Sequence, residues 1–380
     1  MNLKKGNFMQ VTEEAISKLR NMLGQISVDS ADDYSRVGAQ IIDAKSKVLE
    51  KYQPIFSPAN LDNLTADDFK SFLLFKNNQH WDSLHRQSGR MTEDMKKLKN
   101  ALKILTDESQ LIENRLNKLR PNSGEPMVKG LGRAVITAIL QVVNPNKYGI
   151  WNNTAEAGMK ELKIFPEFNR GIAFGEKYKL VNTVLLGATQ KLEIDLWTLD
   201  MLWWRVIKTH IPRGTGLADE YSEISAEREL DAEGIEEKPS SENVFALEKY
   251  LHEFLVDNWD VTELSKEWDL LEEDGEIVGS KYYTGEVGEI DLLAKHKTEN
   301  KWLVIELKRN QTSDSTVGQL LRYMTWVRKN LAEEQTIVVG LVICHTVDKN
   351  LQYALDGQTN IKSMTYQIDF KLNPTPDLNQ

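Results

Sequence analysis

Two hydrophobic patterns divide the chain. Up to about residue 213 the apolar positions recur three and four apart, the spacing of one helix face. After about residue 244 short apolar runs alternate with helical stretches. Residues 11–23 and 32–52 predict helices. Residues 60–75 predict a turn and then a helix, with Thr65 as N-cap and Asp68 where a capping box usually has Glu or Gln. Residues 91–119 predict one long helical region, in which Met95, Leu98, Leu102, Ile104, Leu105, Leu111 and Ile112 interleave with Lys96, Lys97, Lys99 and Lys103. Those lysines read either as a solvated face or as one that rides on phosphates. A polar break at 121–126 precedes further helical segments at 127–143, 154–162 and 171–210.

Residues 214–243 change character. Ten acidic residues stand against two basic ones between Asp219 and Glu242, and large apolar residues are few. This predicts an acidic linker between a mostly helical region, 1–213, and a second domain, 244–380. In the second domain residues 244–258 predict a helix with Leu247, Tyr250, Leu251, Phe254 and Leu255 on one face. Strands are predicted at 277–283, 288–295 and 302–307, a helix at 315–330 and a buried strand at 336–345. The fold class is therefore multidomain: an α-helical N-terminal region plus a C-terminal α/β domain with a mixed central sheet.

Composition narrows the picture little. Apolar residues make up 41% and charged residues 27%, as in a globular protein. The one cysteine, Cys344, excludes a disulfide within the chain and argues against a cysteine-based zinc site; its apolar run predicts burial. No window reaches the roughly 18 apolar residues of a membrane span, and no apolar signal core follows Met1, so a cytoplasmic protein with no membrane contact is expected. The net charge of −10 argues against a general nucleic-acid binder. It is uneven, however. Residues 127–213 carry 12 Lys+Arg against 7 Asp+Glu, so a locally basic face is compatible with an acidic chain.

The chemistry concentrates in two predicted strands. Asp291 sits in Gly288-Glu289-Ile290-Asp291-Leu292-Leu293, and Glu306 and Lys308 sit in Val304-Ile305-Glu306-Leu307-Lys308. Residues two apart on a strand share a face, so Glu306 and Lys308 project together. A hairpin turning at Thr298-Glu299-Asn300 brings Asp291 beside Glu306. Two carboxylates held close repel, and a hard divalent cation such as Mg²⁺ or Mn²⁺ relieves that repulsion. Glu-x-Lys alone is common as an exposed ion pair on an edge strand; the surrounding pattern gives it weight.

Those two segments, followed by Gln319-Leu320-Leu321-Arg322-Tyr323, resemble the signature of the PD-(D/E)xK nuclease superfamily, and within it the NucS-type endonuclease domain. The resemblance covers about residues 244–370 and departs from the family name in having Ile290, not proline, before the aspartate. It implies a restriction-endonuclease-like fold in the C-terminal domain. By position it implies Asp291, Glu306 and the Leu307 carbonyl as metal ligands and Lys308 as the catalytic lysine. Gln319 and Tyr323 would place the substrate backbone or the active-site groups, with Arg322 toward DNA. A glutamate of the first helix, Glu248 or Glu253, would complete the site. The implied activity is metal-dependent hydrolysis of phosphodiester bonds in DNA, in defence or repair, with a homodimer where both strands are cut.

A second resemblance lies in residues 127–153. Val128-Lys129-Gly130-Leu131-Gly132-Arg133-Ala134, then Pro145-Asn146-Lys147-Tyr148-Gly149-Ile150-Trp151-Asn152, is similar to the helix-hairpin-helix region of DNA glycosylases. It implies backbone N–H groups at Gly130 and Gly132 offered to a phosphate, with charge from Lys129 and Arg133. The glycosylase's catalytic aspartate has no counterpart, since Asn152 and Asn153 stand there, so glycosylase activity is not expected. Trp81, Trp151, Trp197, Trp203 and Trp204 are expected in the core rather than stacked on bases. His80 and His85 flank Trp81 near Arg86 as a structural or DNA-facing polar cluster, not a metal site. The alternatives to a DNA endonuclease are a DNA-binding or assembly protein with an inactive nuclease fold, and an RNA nuclease.

Overall fold

The computed structural model describes residues 11–81, 84–85, 87–122, 125–169, 171–208, 251–273, 276–285, 287–308, 314–347 and 349–367. The predicted linker, 214–243, lies outside the described residues, as do Arg86 and Glu248. The helices are α1 (Glu13–Leu23), α2 (Asp33–Phe56), α3 (Ala66–Leu73), α4 (Phe75–Asn78), α5 (Ser88–Thr92), α6 (Met95–Thr106), α7 (Ile112–Leu119), α8 (Arg133–Val143), α9 (Asn153–Glu161), α10 (Phe174–Leu192) and α11 (Leu196–Lys208). Then come α12 (residues 251–257), α13 (Asp314–Asn330) and α14 (Lys349–Leu355). The strands are β1 (Trp268–Leu270), β2 (Glu272–Glu273), β3 (Glu276–Ile277), β4 (Ser280–Tyr283), β5 (Glu289–His296), β6 (Lys301–Lys308), β7 (Ile337–Cys344) and β8 (Ile361–Thr365).

These elements form two compact units: Met1–Lys238 with Leu271–Glu289, and Pro239–Leu270 with Ile290–Gln380.

In the first unit the helices start where their caps are. Thr12 caps α1 through Ala15 N–H. Thr65 caps α3 in a full capping box, with Asp68 returning the bond that Glu or Gln usually makes. The single helical region predicted for 91–119 is instead three helices. Asp94 caps α6 at Lys97 N–H, and Asp107 ends it, its carboxylate accepting from Ser109 N–H. Side-chain hydrogen bonds at these two aspartates outcompete the helical path of the chain. Of the lysines between them, Lys99 donates to the Asp62 carbonyl at 2.7 Å and Lys103 pairs with its carboxylate at 2.6 Å, so both have partners inside the unit.

The tryptophans Trp81, Trp151, Trp197 and Trp203 are buried in one apolar cluster, as expected, and Trp204 is half-buried. His80 is structural. It is buried against Trp197, and its Nε2 lies 2.7 Å from the Asp200 carboxylate that also accepts from Trp81 Nε1 at 2.8 Å. The later piece of this unit holds the β2–β3 hairpin and β4. Tyr283 O–H donates to the Ile207 carbonyl at 3.3 Å, and burial pushes the phenols of Tyr282 and Tyr283 up to about 12. The strand predicted as 277–283 is thus two short strands broken at Val278 and Gly279.

In the second unit the sheet runs β1-β5-β6-β7-β8. β1–β5 and β5–β6 are antiparallel, and β6–β7 and β7–β8 are parallel, so the sheet is mixed as predicted. The β6 residues from Trp302 to Leu307 are all buried, which places cover on both faces of the sheet. The helix α13 is the crossover between β6 and its parallel neighbour β7, and packs on both. At Gly340 a Cβ would come within 2.7 Å of Met324 Sδ and 2.9 Å of Leu320 Cδ2, so the helix sits against the strand where the side chain is missing. Cys344 is buried in β7.

Candidate active site

The site begins with the β5–β6 register. Leu292 pairs with Ile305, Leu293 with Val304 and Ala294 with Leu303. The next positions outward are Asp291 and Glu306, side by side at the same end of the two strands. Asp291 is 5% exposed and Glu306 1% exposed. Asp291 Oδ2 accepts from Leu307 N–H at 2.8 Å, and Lys308 Nζ lies 2.9 Å from Glu306 Oε1. Glu306 and Lys308 therefore share a face, as strand periodicity requires.

That face is also the one under α13. Val304 pairs in register with Gly340, so the two positions point to the same side, and α13 covers Gly340. Glu306 and Lys308 follow Val304 by two and four residues. On α13, Gln319 Nε2 donates to Tyr323 O–H at 3.1 Å; Tyr323 is buried and Arg322 exposed. The four-residue spacing thus yields a bonded pair on one helix face.

Burying two carboxylates is unfavourable unless something compensates the charge. Asp291 and Glu306 bring two acids together, with Lys308 paired to Glu306. Among the described residues no group of three or more His, Cys, Asp or Glu side chains is placed to hold a metal. Oxygen donors among the described residues here include the carboxylates of Asp291 and Glu306, with the main chain of Leu307 between the Glu and the Lys. Two carboxylates and a carbonyl are a donor set of the hard kind that Mg²⁺ and Mn²⁺ prefer. Glu253, a candidate third carboxylate, is half-buried on α12.

His252, next to it, was not read from sequence as a site residue. It is 3% exposed, and its Nε2 lies 3.2 Å from the Asp291 carbonyl oxygen. The predicted helix face explains the omission. Phe254, assigned to the buried side, is 59% exposed, whereas Leu251, His252, Leu255 and Val256 are buried. His252 stands three and four residues before the apolar Leu255 and Val256, and that spacing is the signal that was available.

The glycine-rich segment in the first unit arranges differently. Gly130 takes a positive φ of 81°, and a Cβ there would meet Gln87 at 3.0 Å. Gly132 is the N-cap of α8, and Lys129 is exposed beside Glu125 at 3.5 Å. Arg133 corrects an expectation. It is 3% exposed and faces the interior of the unit, not a phosphate. Its Nη1 donates to Glu156 Oε2 and its Nη2 to Asn153 Oδ1, both at 2.7 Å, with the guanidinium over the Trp151 ring. Burial works to raise the Glu156 carboxyl; Arg133, Lys160 and the Trp151 N–H outweigh it and hold the group below its ordinary value. Asn152 caps α9 through Ala155 N–H at 2.7 Å, so the two asparagines at the glycosylase-like position are both structural.

Residues 260–369 match a family model described as the Endonuclease NucS C-terminal domain. The chain is 31% identical over 107 residues to the Endonuclease NucS of Methanocaldococcus jannaschii, which is 28% of this chain and 36% of that relative. The chain thus spans little more than a third of the length of the curated relative it matches. No solved structure matches. The similarity covers the sheet from β1 through β8 with α13, and with it Asp291, Glu306 and Lys308. The C-terminal part of this chain is similar to the NucS C-terminal domain, and residues 1–259 lie outside the family match.

Proposed function

We propose that this protein is a metal-dependent endonuclease of the PD-(D/E)xK type that hydrolyses phosphodiester bonds in DNA. The observation that carries the reading is the burial of Asp291 and Glu306 side by side at one strand end, with Lys308 bonded to Glu306. Glu306 and Asp291, with the Leu307 carbonyl, would hold a Mg²⁺ or Mn²⁺ ion. Such an ion supplies Lewis acidity at a scissile phosphate and acidifies water.

The chain's own residues do the rest. Leu307 N–H holds the Asp291 carboxylate in one orientation. Lys308, about one-third exposed, offers its ammonium to the negative charge that grows on the phosphate, or to the attacking water. Tyr323 and Gln319, bonded to each other on α13, would place the substrate backbone or the active-site groups. A similar domain named as an endonuclease supports the reaction class. Among the described residues no helix is long and apolar enough to cross a membrane. The helical unit would position the nucleic acid, in a defence or repair setting, and a homodimer would supply two sites where both strands are cut.

The test is cleavage of single-stranded, duplex, mismatched and branched DNA, and of RNA, with Mg²⁺ or Mn²⁺. Wild type is compared with Asp291→Ala and Lys308→Ala. Metal-dependent cutting abolished by both substitutions and by EDTA is the expected result. Binding without cutting favours an inactive nuclease fold, cutting confined to RNA favours a ribonuclease, and cutting that survives both substitutions sinks the assignment of the site.

A further inference from the structure

We infer that His252 is a positioning residue that sets the divalent-cation affinity of the Asp291 end of the sheet by tying down the Asp291 main chain. This rests on the metal-dependent reading above. The contribution of Asp291 depends on where its carboxylate stands, and that depends on what holds the residue in β5. β1 pairs with β5 from His296 to Ala294 and does not extend to Asp291. The β5–β6 pairs run from Lys295 to Leu292 and stop one position short of it.

Two hydrogen bonds from outside those pairs meet there. Leu307 N–H fixes the carboxylate through Oδ2, and the imidazole of His252 fixes the backbone through the carbonyl oxygen. A carbonyl only accepts, so the ring nitrogen facing it carries the proton, and His252 is the donor. The imidazole is itself held, buried on α12 beside Leu251, Leu255 and Val256. Asp291 is thus pinned at both ends, side chain and main chain. With one pin removed, rotation of the residue carries the carboxylate away from its place beside Glu306. Groups that orient a ligand in this way typically change metal affinity by about 10- to 100-fold when removed.

The experiment reads metal binding directly in the full chain, by the loss of the free Mn²⁺ paramagnetic resonance signal, and thermal melting in parallel. The variants are His252→Leu, which removes the donor, His252→Gln, which keeps an N–H at similar reach, and Asp291→Asn. The expected result is Mn²⁺ binding about tenfold weaker in His252→Leu, most of it restored in His252→Gln, and none in Asp291→Asn. Unchanged Mn²⁺ affinity in a folded His252→Leu overturns the inference. Equal loss in a folded His252→Gln also overturns it, because it makes the imidazole itself the ligand. Unfolding of both His252 variants overturns it too, by making the residue a purely structural one. If only His252→Leu unfolds, the glutamine variant decides, wild-type-like affinity supporting the inference and lost affinity opposing it. Wild type that binds Mn²⁺ and cuts no nucleic acid defeats the nuclease reading while the ranking of the variants still decides this one. Wild type that binds no Mn²⁺ overturns both.

Discussion

Arg133 in the helical unit and Glu306 in the sheet unit are both charged residues sunk into apolar surroundings, and their partners differ in kind. Arg133 meets Glu156, with which Lys160 also pairs, and Asn153, and lies over Trp151, all in the same unit. Glu306 meets Lys308, and a second acid, Asp291, stands at the adjacent position of the next strand. A buried charge balanced from within its own unit is a fixture of the fold. Two carboxylates buried side by side need compensation, by a cation or a shared proton, and the proposed metal would supply it.

The comparison breaks most sharply at Asp291. Asp291→Asn keeps an acceptor for Leu307 N–H and removes the charge. Cleavage is expected to fall about a thousandfold or more, while the melting temperature holds or rises. A melting temperature that collapses with activity would make Asp291 a structural residue like Arg133. The converse holds at the other site. Arg133→Ala leaves Glu156 buried without its guanidinium and is expected to destabilise the helical unit by about 3–5 kcal/mol in chemical denaturation. A loss of DNA affinity with unchanged stability would reverse that assignment.

A smaller effect follows from pH. The Glu156 carboxyl lies below its ordinary value of 4.5 in the folded chain. Its contribution to stability is therefore present above that value and is lost as pH falls through the lower folded value. Urea denaturation of wild type and Glu156→Gln between pH 6 and 3 is expected to converge at the acid end. A gap that widens on acidification would contradict the assignment. The smallest effect is at the cap of α3, where Thr65→Ala is expected to cost about 1 kcal/mol and leave cleavage untouched.

The site region was the most legible part of the sequence. β5, β6, α13 and β7 fall within about two residues of their predicted bounds, because their apolar runs are long and bounded by polar turns. β1, α14 and β8 were not predicted. β8 buries only Ile361, and in Ile361–Thr365 no alternation marks a strand; its partner β7 supplies the pairing. The split of 91–119 depends on Asp94 and Asp107, whose local hydrogen bonds no apolar period reveals. His252 escaped because a binary reading puts histidine on the wet side of a helix and phenylalanine on the dry side, and here Phe254 is the exposed one. Arg133 was read from its charge alone; the acid that takes it up is 23 residues away.

The chain assignment of the two units has a practical meaning for dissecting the protein. The piece Leu271–Glu289 belongs with the helices, although it lies between two stretches of the sheet unit. A fragment that starts at the acidic segment would thus carry β2, β3 and β4 away from the helices they are grouped with. It would release the Tyr283 hydroxyl from Ile207 and expose the two phenols to solvent. The modules of this protein are interleaved like the strands of a splice, so a gene cut at one point cannot yield both as natural fragments.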